Sequence, residues 1–291
     1  MEYQLWKIIV ALATDLDKAH LPGCDYSDGR IVSVWFWAVI HDRPVCWACE
    51  RRHWPVHRRR EPLPSESTMS KRLRTPSVLA LLGELERRVI APQQSEMFWM
   101  IDGKPLPISG CSKDVQSGYG RSTGGKARGY KVHAIVSGRG AIAQWRVAPM
   151  NKDERVMAHR MLRQPAIQGY LLADSNYDSN KLHELCDQQE SLQLLTRRRY
   201  GPNYKTGHRR QSPGRLRSMA RLENPYPAFA DRLLGQRSEI ERQFSQWTSW
   251  GGGLASLPAW VRTHRRVHRW VQAKLVLTRL KRRTTASTYA A

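Results

Sequence analysis

The chain has 291 residues, 48 Lys plus Arg against 25 Asp plus Glu, and a formal net charge of +23. The length allows two domains and a real core, and an apolar fraction of 41% with 11 Trp excludes a chain disordered throughout. No apolar run reaches the roughly 18 residues of a membrane span, and the apolar stretch Ile31–Ile40 has no small-residue cleavage site, so it reads as a buried helix.

Five scattered cysteines in a chain of this length fit a reduced, cytoplasmic protein. The charge surplus makes a polyanion the expected partner, and nucleic acid is the commonest. Residues 1–90 carry 14 basic and 11 acidic side chains. Residues 195–291 carry 21 against 4, so +17 of the +23 lies in the last third. A nearly neutral first part and a basic last part predict that the C-terminal stretch holds a phosphate backbone.

Residues 1–60 read as helical. Trp6, Ile9, Val10, Ala13 and Leu16 form a helical stripe, and Ile31 to His41 a second helix. Cys46, Cys49, His53 and His57 are zinc-ligand types, but their short spacer is atypical, and the plainer reading is a packed Trp-rich turn. Pro64 then breaks the chain, Ser65 or Ser67 can cap a helix, and Lys71, Arg72 and Arg74 follow in its second turn. A further helix from Ser77 to Arg88 carries Val78, Leu81, Leu82 and Leu85 on one face. The pair makes 63–90 a helix-turn-helix candidate that offers Lys71, Arg72 and Arg74 to DNA. Ordinary surface helices share these features.

After a linker at 91–95 the period changes. Met97–Ile101 predicts a strand ending at Asp102, Tyr130–Val136 a second, and Ala141–Ala148 a third. Lys152–Leu162 predicts a helix, Gly169–Ala173 a strand ending at Asp174, Ser179–Gln189 a helix and Leu192–Thr196 a strand. Residues 197–227 hold nine basic side chains and one acid, Glu223, and read as a basic insertion, a flexible DNA-binding arm. Ala228–Trp247 predicts a long helix, and Arg262–Arg283 a last basic one, with 286–291 a tail. This order is an α/β fold, a mixed sheet with helices on both faces, and resembles the ribonuclease-H-like fold. It gives an all-α, DNA-binding N-terminal region over 1–92 and a catalytic domain over 95–285.

Asp102 and Asp174 each follow an apolar strand. If the two strands are neighbours, both carboxylates reach one crevice at the strand ends and can share hard divalent metals. A third acid must come from elsewhere, and Glu239 and Glu241 in Arg237-Ser-Glu-Ile-Glu241-Arg242-Gln-Phe244 are the candidates. Taken singly, each has a plainer role, as a turn cap or a surface ion pair. Lys131 and His133 share a strand face; a core or ion-pair role suits them better than one in the site.

Here the sequence resembles the DDE transposases of bacterial insertion sequences. The carrying motifs are Met100-Ile-Asp102-Gly, Gly129-Tyr-Lys-Val-His-Ala134, Leu171-Leu-Ala-Asp174-Ser-Asn-Tyr-Asp178 and Arg237-x-x-x-Glu241-Arg-x-Phe244. The resemblance implies that Asp102, Asp174 and Glu241 are catalytic and bind two Mg2+ ions, with Mn2+ as a substitute. Glu241 is preferred to Glu239 because the family's Arg stands four residues before its Glu. The class with a Tyr-Arg-Glu-Lys signature matches best, yet its Tyr and Lys positions hold Leu234 and Thr248. In that class these two residues help handle the end strand.

The expected activity is metal-dependent hydrolysis at transposon ends followed by strand transfer. Double-stranded DNA is the partner, bound by a homodimer, with no membrane role and a nucleoid-associated location. Arg197, Arg198, Arg199 and Arg237, with Arg262, Arg265, Arg266 and Arg269 on the last helix, are the expected DNA contacts beside the N-terminal set. The alternatives are a catalytically inactive, domesticated DNA-binding protein or another ribonuclease-H-like metal nuclease.

Overall fold

Local capping explains much of the helical start. In the computed structural model, which describes residues 1–17, 24–92, 95–109, 112–163, 167–189, 191–199, 211–223, 228–249 and 253–289, Ser27 accepts from the Arg30 N–H and opens a helix. The first five helices are α1 (Glu2–Leu16), α2 (Asp28–Ile40), α3 (Val45–Ala48), α4 (Glu66–Arg72) and α5 (Pro76–Ile90). Ser65 caps α4 through the Thr68 N–H, and Pro76 opens α5, where a missing N–H costs nothing. α2 is buried on every side, and Trp6, Trp37 and Trp54 cluster edge-on and stacked beside it.

The helical unit comprises residues 1–91, 249–254 and 269–291. The last helix, α11 (His264–Tyr289), gives its residues from Arg269 onward to this unit. Residues 270–278 are buried on every side of the helix, with Trp270, Val271, Leu275 and Val276 among them.

The second unit comprises residues 92–248 and 255–268. It holds β1 (Phe98–Pro107), β2 (Gly118–Ser122), β3 (Gly125–Ser137), β4 (Ile142–Pro149), β5 (Gly169–Leu172) and β6 (Leu192–Leu195). The sheet order is β2-β3-β1-β5-β6, with β4 on β3. β1, β3 and β4 are antiparallel neighbours, while β5 and β6 run parallel to β1. β1 does not end at Asp102. It continues to Pro107, because Gly103 to Pro107 keep pairing with residues 133 to 129 of β3.

Alternation sorts the two sheet faces. Trp99, Ile101, Ile135 and Leu171 pack with Met161 of α6 (Glu154–Leu162) and Leu182 of α7 (Asn180–Asp187). Met100, Asp102 and Lys104 point to the other face. There the Lys104 ammonium donates to Thr248 Oγ1 at 2.7 Å, which places α10 (Glu239–Ser249) over that face.

The single helix expected over 228–247 is instead α9 (Ala228–Gly235), a 3-10 turn at 236–238, and α10. The segment expected as a flexible arm is also partly ordered. Pro213–Glu223 forms α8, because the Arg215 guanidinium grips the buried Asp178 carboxylate at 2.6 and 2.7 Å. Residues 200–210 and 224–227 of that segment, 93–94 of the linker and 290–291 of the tail lie outside the described residues.

Candidate active site

Register brings the two aspartates together. Met100 pairs with Leu172 across parallel β1 and β5, and Asp102 and Asp174 each lie two residues further on. Equal offset in parallel neighbours puts both side chains on one face. Gly103 follows because a Cβ there would come 2.6 Å from Lys131 Cδ, and its N–H donates to Asp102 Oδ1 at 2.7 Å. Asp174 also fills the plainer role weighed for it. It caps the 3-10 turn 175–177 through the Asn176 N–H at 2.9 Å.

The electrostatic cost of the site falls on Asp102. Burial, with the negative charges of Glu154 and Asp174 and against the Gly103 N–H and Arg237, pushes the Asp102 carboxyl up to about 6. Tyr177 lies in the core behind the site with its hydroxyl unpartnered. Burial and then Glu154, Asp102 and Asp174 hold that phenol well above its ordinary range, so it stays protonated. Lys131 and His133 face the opposite side of the sheet. Lys131 pairs with Glu154 at 2.6 Å, and His133 is fully buried, its imidazole pushed down to about 3 by burial and then by Lys131. Both are core or ion-pair residues.

Glu241 is exposed on α10, while Ile240, Gln243, Phe244 and Trp247 are its buried positions. Glu241 and Thr248 are seven residues apart and so share a helix edge. Thr248, at the signature's Lys position, is the residue that touches Lys104 of β1. Glu239 falls on the other edge, paired with Arg242 at 3.0 Å. Among the described residues no three His, Cys, Asp or Glu side chains are gathered closely enough to hold a metal. The structure thus assembles the Asp102–Asp174 pair and leaves Glu241 outside it.

Arg237 and Arg197 line a cleft of about 420 Å³ with Asp174, Asp231 and Leu234. Arg197 lies 3.4 Å from Asp231, and Arg198 is held by Glu223 at 2.5 and 2.7 Å. Arg199 anchors through its N–H to Asp178. Arg262, Arg265 and Arg266 are exposed, but Arg269 is packed, donating to the Leu73 carbonyl beneath Trp35. Arg72 turns inward to Asp28 at 2.5 Å and to the Tyr26 carbonyl, so the outward cations of its segment are Lys71 and Arg74. Of the four zinc-type residues, His53 contacts the Trp47 carbonyl and stacks on the Trp47 ring, and the exposed His57 contacts the Tyr3 hydroxyl. Lys104 and the partner of Lys131, Glu154, went unread in the sequence. Strand parity counted from Asp102 points to Lys104 alone.

The sheet order, with two aspartates at neighbouring strand positions and an acid-bearing helix over their face, defines a ribonuclease-H-like nuclease domain. Residues 94–276 match the transposase DDE domain family, and the chain belongs to that family. Comparisons with curated proteins and with solved structures returned no match. Family membership makes the protein a DDE transposase; a DNA substrate and divalent-metal chemistry are what that family implies. No helix among the described residues is long and apolar enough to cross a membrane.

Proposed function

We propose that the protein is an insertion-sequence transposase. It cleaves the phosphodiester at transposon ends and transfers the freed strand to target DNA. The observation that carries this reading is the Asp102–Asp174 pair, which strand register lines up on one face of the sheet. A raised Asp102 pKa at a partly open crevice fits a site that awaits a hard divalent cation. Asp102 and Asp174 would hold Mg2+, or Mn2+ in its place, and Glu241, chosen by its spacing from Arg237, would be the third acid.

When bound, the metal supplies a more acidic water and neutralises charge on the phosphate oxygens. The chain supplies the rest. Arg237 and Arg197 hold the scissile strand by its phosphates in the cleft beside Asp174. Water attacks the phosphorus and gives up its proton, and the 3′-oxygen leaves and is protonated. That 3′-hydroxyl then attacks a target phosphodiester in the same way. No side chain need become a covalent nucleophile, and the buried Tyr177 and Tyr130 fit packing roles.

Lys71, Arg74, Arg262, Arg265 and Arg266 extend the DNA contact, and a homodimer on DNA holds two ends. The protein works in the cytoplasm, at the nucleoid. Asp102→Asn, Asp174→Asn and Glu241→Gln should each lower Mg2+-dependent cleavage of end DNA by at least 100-fold while Kd for DNA stays within a few-fold. Glu239→Gln should retain cleavage. The reverse result for Glu239 and Glu241 would reassign the third acid, and cleavage by Asp102→Asn would remove the catalytic reading.

A further inference from the structure

Residues 118–128 take no part in the carboxylate site. β1 pairs with β3 only from Gly129 onward, and β4 only from Tyr130 onward. Residues 119–127 are therefore a two-stranded ribbon, with no third strand paired to it among the described residues. Opposed residues in an antiparallel pair share a face. Gly118, Gly120 and Ala127 form one face of small residues. It lies so close to the chain after β4 that a Cβ on Gly118 would come 2.2 Å from Asn151 Oδ1, and one on Gly120 2.5 Å from Met150 Cγ.

The other face carries Tyr119, Arg121, Lys126 and Arg128. Tyr119 is 60% exposed, with Lys126 Nζ 5.7 Å and Arg128 Cζ 5.9 Å from its ring centre. Arg121 stands directly opposite Lys126, both exposed and neither with a carboxylate partner among the described residues. Like charges directly opposite each other destabilise a strand pair, and a two-stranded ribbon has little stability to spare. From Val115 to Lys152 the sequence holds seven Lys or Arg and no acid, so nothing local relieves the repulsion. Arg128 has a separate task. Its guanidinium donates to the Ser112 and Asp114 carbonyls and ties down the base of the ribbon.

We infer that this ribbon face is a separate DNA-backbone contact, in which Arg121 and Lys126 each neutralise a phosphate and Tyr119 packs between them on the sugar–phosphate chain. The contact is independent of sequence, because it reaches phosphates and not base edges. It rests on DNA being the partner, as proposed above.

The test is binding of a labelled duplex by the full chain across a salt series. Each neutralised phosphate contributes about −0.9 to the slope of log K against log salt. Arg121→Gln/Lys126→Gln should therefore make the slope shallower by about 1.8 and weaken binding to any sequence. Tyr119→Ala should weaken binding several-fold and Tyr119→Phe should restore it. Arg146→Gln/Lys152→Gln removes the same charge from elsewhere on the unit and should change the slope by much less. An unchanged slope in the ribbon variant, or an equal change in both double variants, overturns the ribbon contact alone. A parent chain that does not bind DNA overturns the wider reading with it.

Discussion

At Asp102 a single buried carboxyl carries a stability cost that the proposed metal site would account for. Its folded carboxyl is raised to about 6 against an ordinary 3.8, so the charged form is disfavoured by folding. The sign follows from linkage. The penalty is absent below the unfolded pKa, grows between about 4 and 6, and is full above 6. Asp102→Asn should therefore raise the unfolding midpoint at pH 8 in the presence of a chelator. The gain should shrink to nothing near pH 4. Thermal melts at both pH values check this, and an equal gain at both would show that altered packing, not charge, sets the effect. Removal of a strained functional acid commonly stabilises a protein in this way.

At the scale of elements, α8 shows where a composition reading fails. Basic residues with Gly, Pro and Ser read as a loop, yet Arg215 closes a two-point ion pair on Asp178, whose side chain is 3% exposed. Burial alone would raise the Asp178 carboxyl. The Arg215 guanidinium, the His183 ring and the Arg199 N–H outweigh it and hold the group far below the usual carboxylate range. Loss of one partner from a buried pair costs about 3–5 kcal/mol. Arg215→Met should therefore lower the melting midpoint at pH 7 by roughly 10 °C, at about 2–4 °C per kcal/mol for a unit of this size. Asp178 has a depressed pKa, so its contribution is present above about pH 4 and is lost as pH falls further. The gap between parent and variant should then narrow steadily as pH falls below about 4, and a gap at pH 2 as large as at pH 7 would put the effect in packing.

The same elements show what the sequence could and could not reveal. Asp102 and Asp174 were legible because apolar strands of low ambiguity lead into them. Their adjacency needed the sheet order, which strand periodicity does not encode. Glu241 was chosen only through its spacing from Arg237, and no three-acid cluster forms around it among the described residues. β2 was missed because Gly118-Tyr-Gly-Arg-Ser alternates small with large and lacks the apolar residues by which strands are usually recognised. Arg72 and Arg269 look like DNA contacts by type and spacing. Their inward partners, Asp28 and the Leu73 carbonyl, lie 44 and 196 residues away.

For the whole molecule, the basic last third does two jobs. Arg262, Arg265 and Arg266 are exposed, whereas Lys274 is buried, paired with Asp42 and 5.1 Å from the centre of the Trp270 ring. Trp270 meets Trp35 edge-on at 6.2 Å, and Gln272 bonds Glu86 at 2.6 Å. The helical unit that carries the α4 cations is thus finished by residues from the far end of the chain. A chain cut after His268 loses Trp270, Val271, Leu275, Val276 and Leu277 from that unit, all at most 1% exposed. At about 1.5–3 kcal/mol for each large buried side chain, the loss is on the order of 10 kcal/mol. That matches the whole stability of a typical domain, about 5–15 kcal/mol. The cut chain should therefore lose its cooperative Trp-fluorescence transition, and residues 1–91 should be digested first under limited proteolysis. DNA binding through Lys71 and Arg74 should go with them, even though neither residue has been touched. Survival of residues 1–91 as a resistant fragment would show instead that the first five helices hold together without the chain's end.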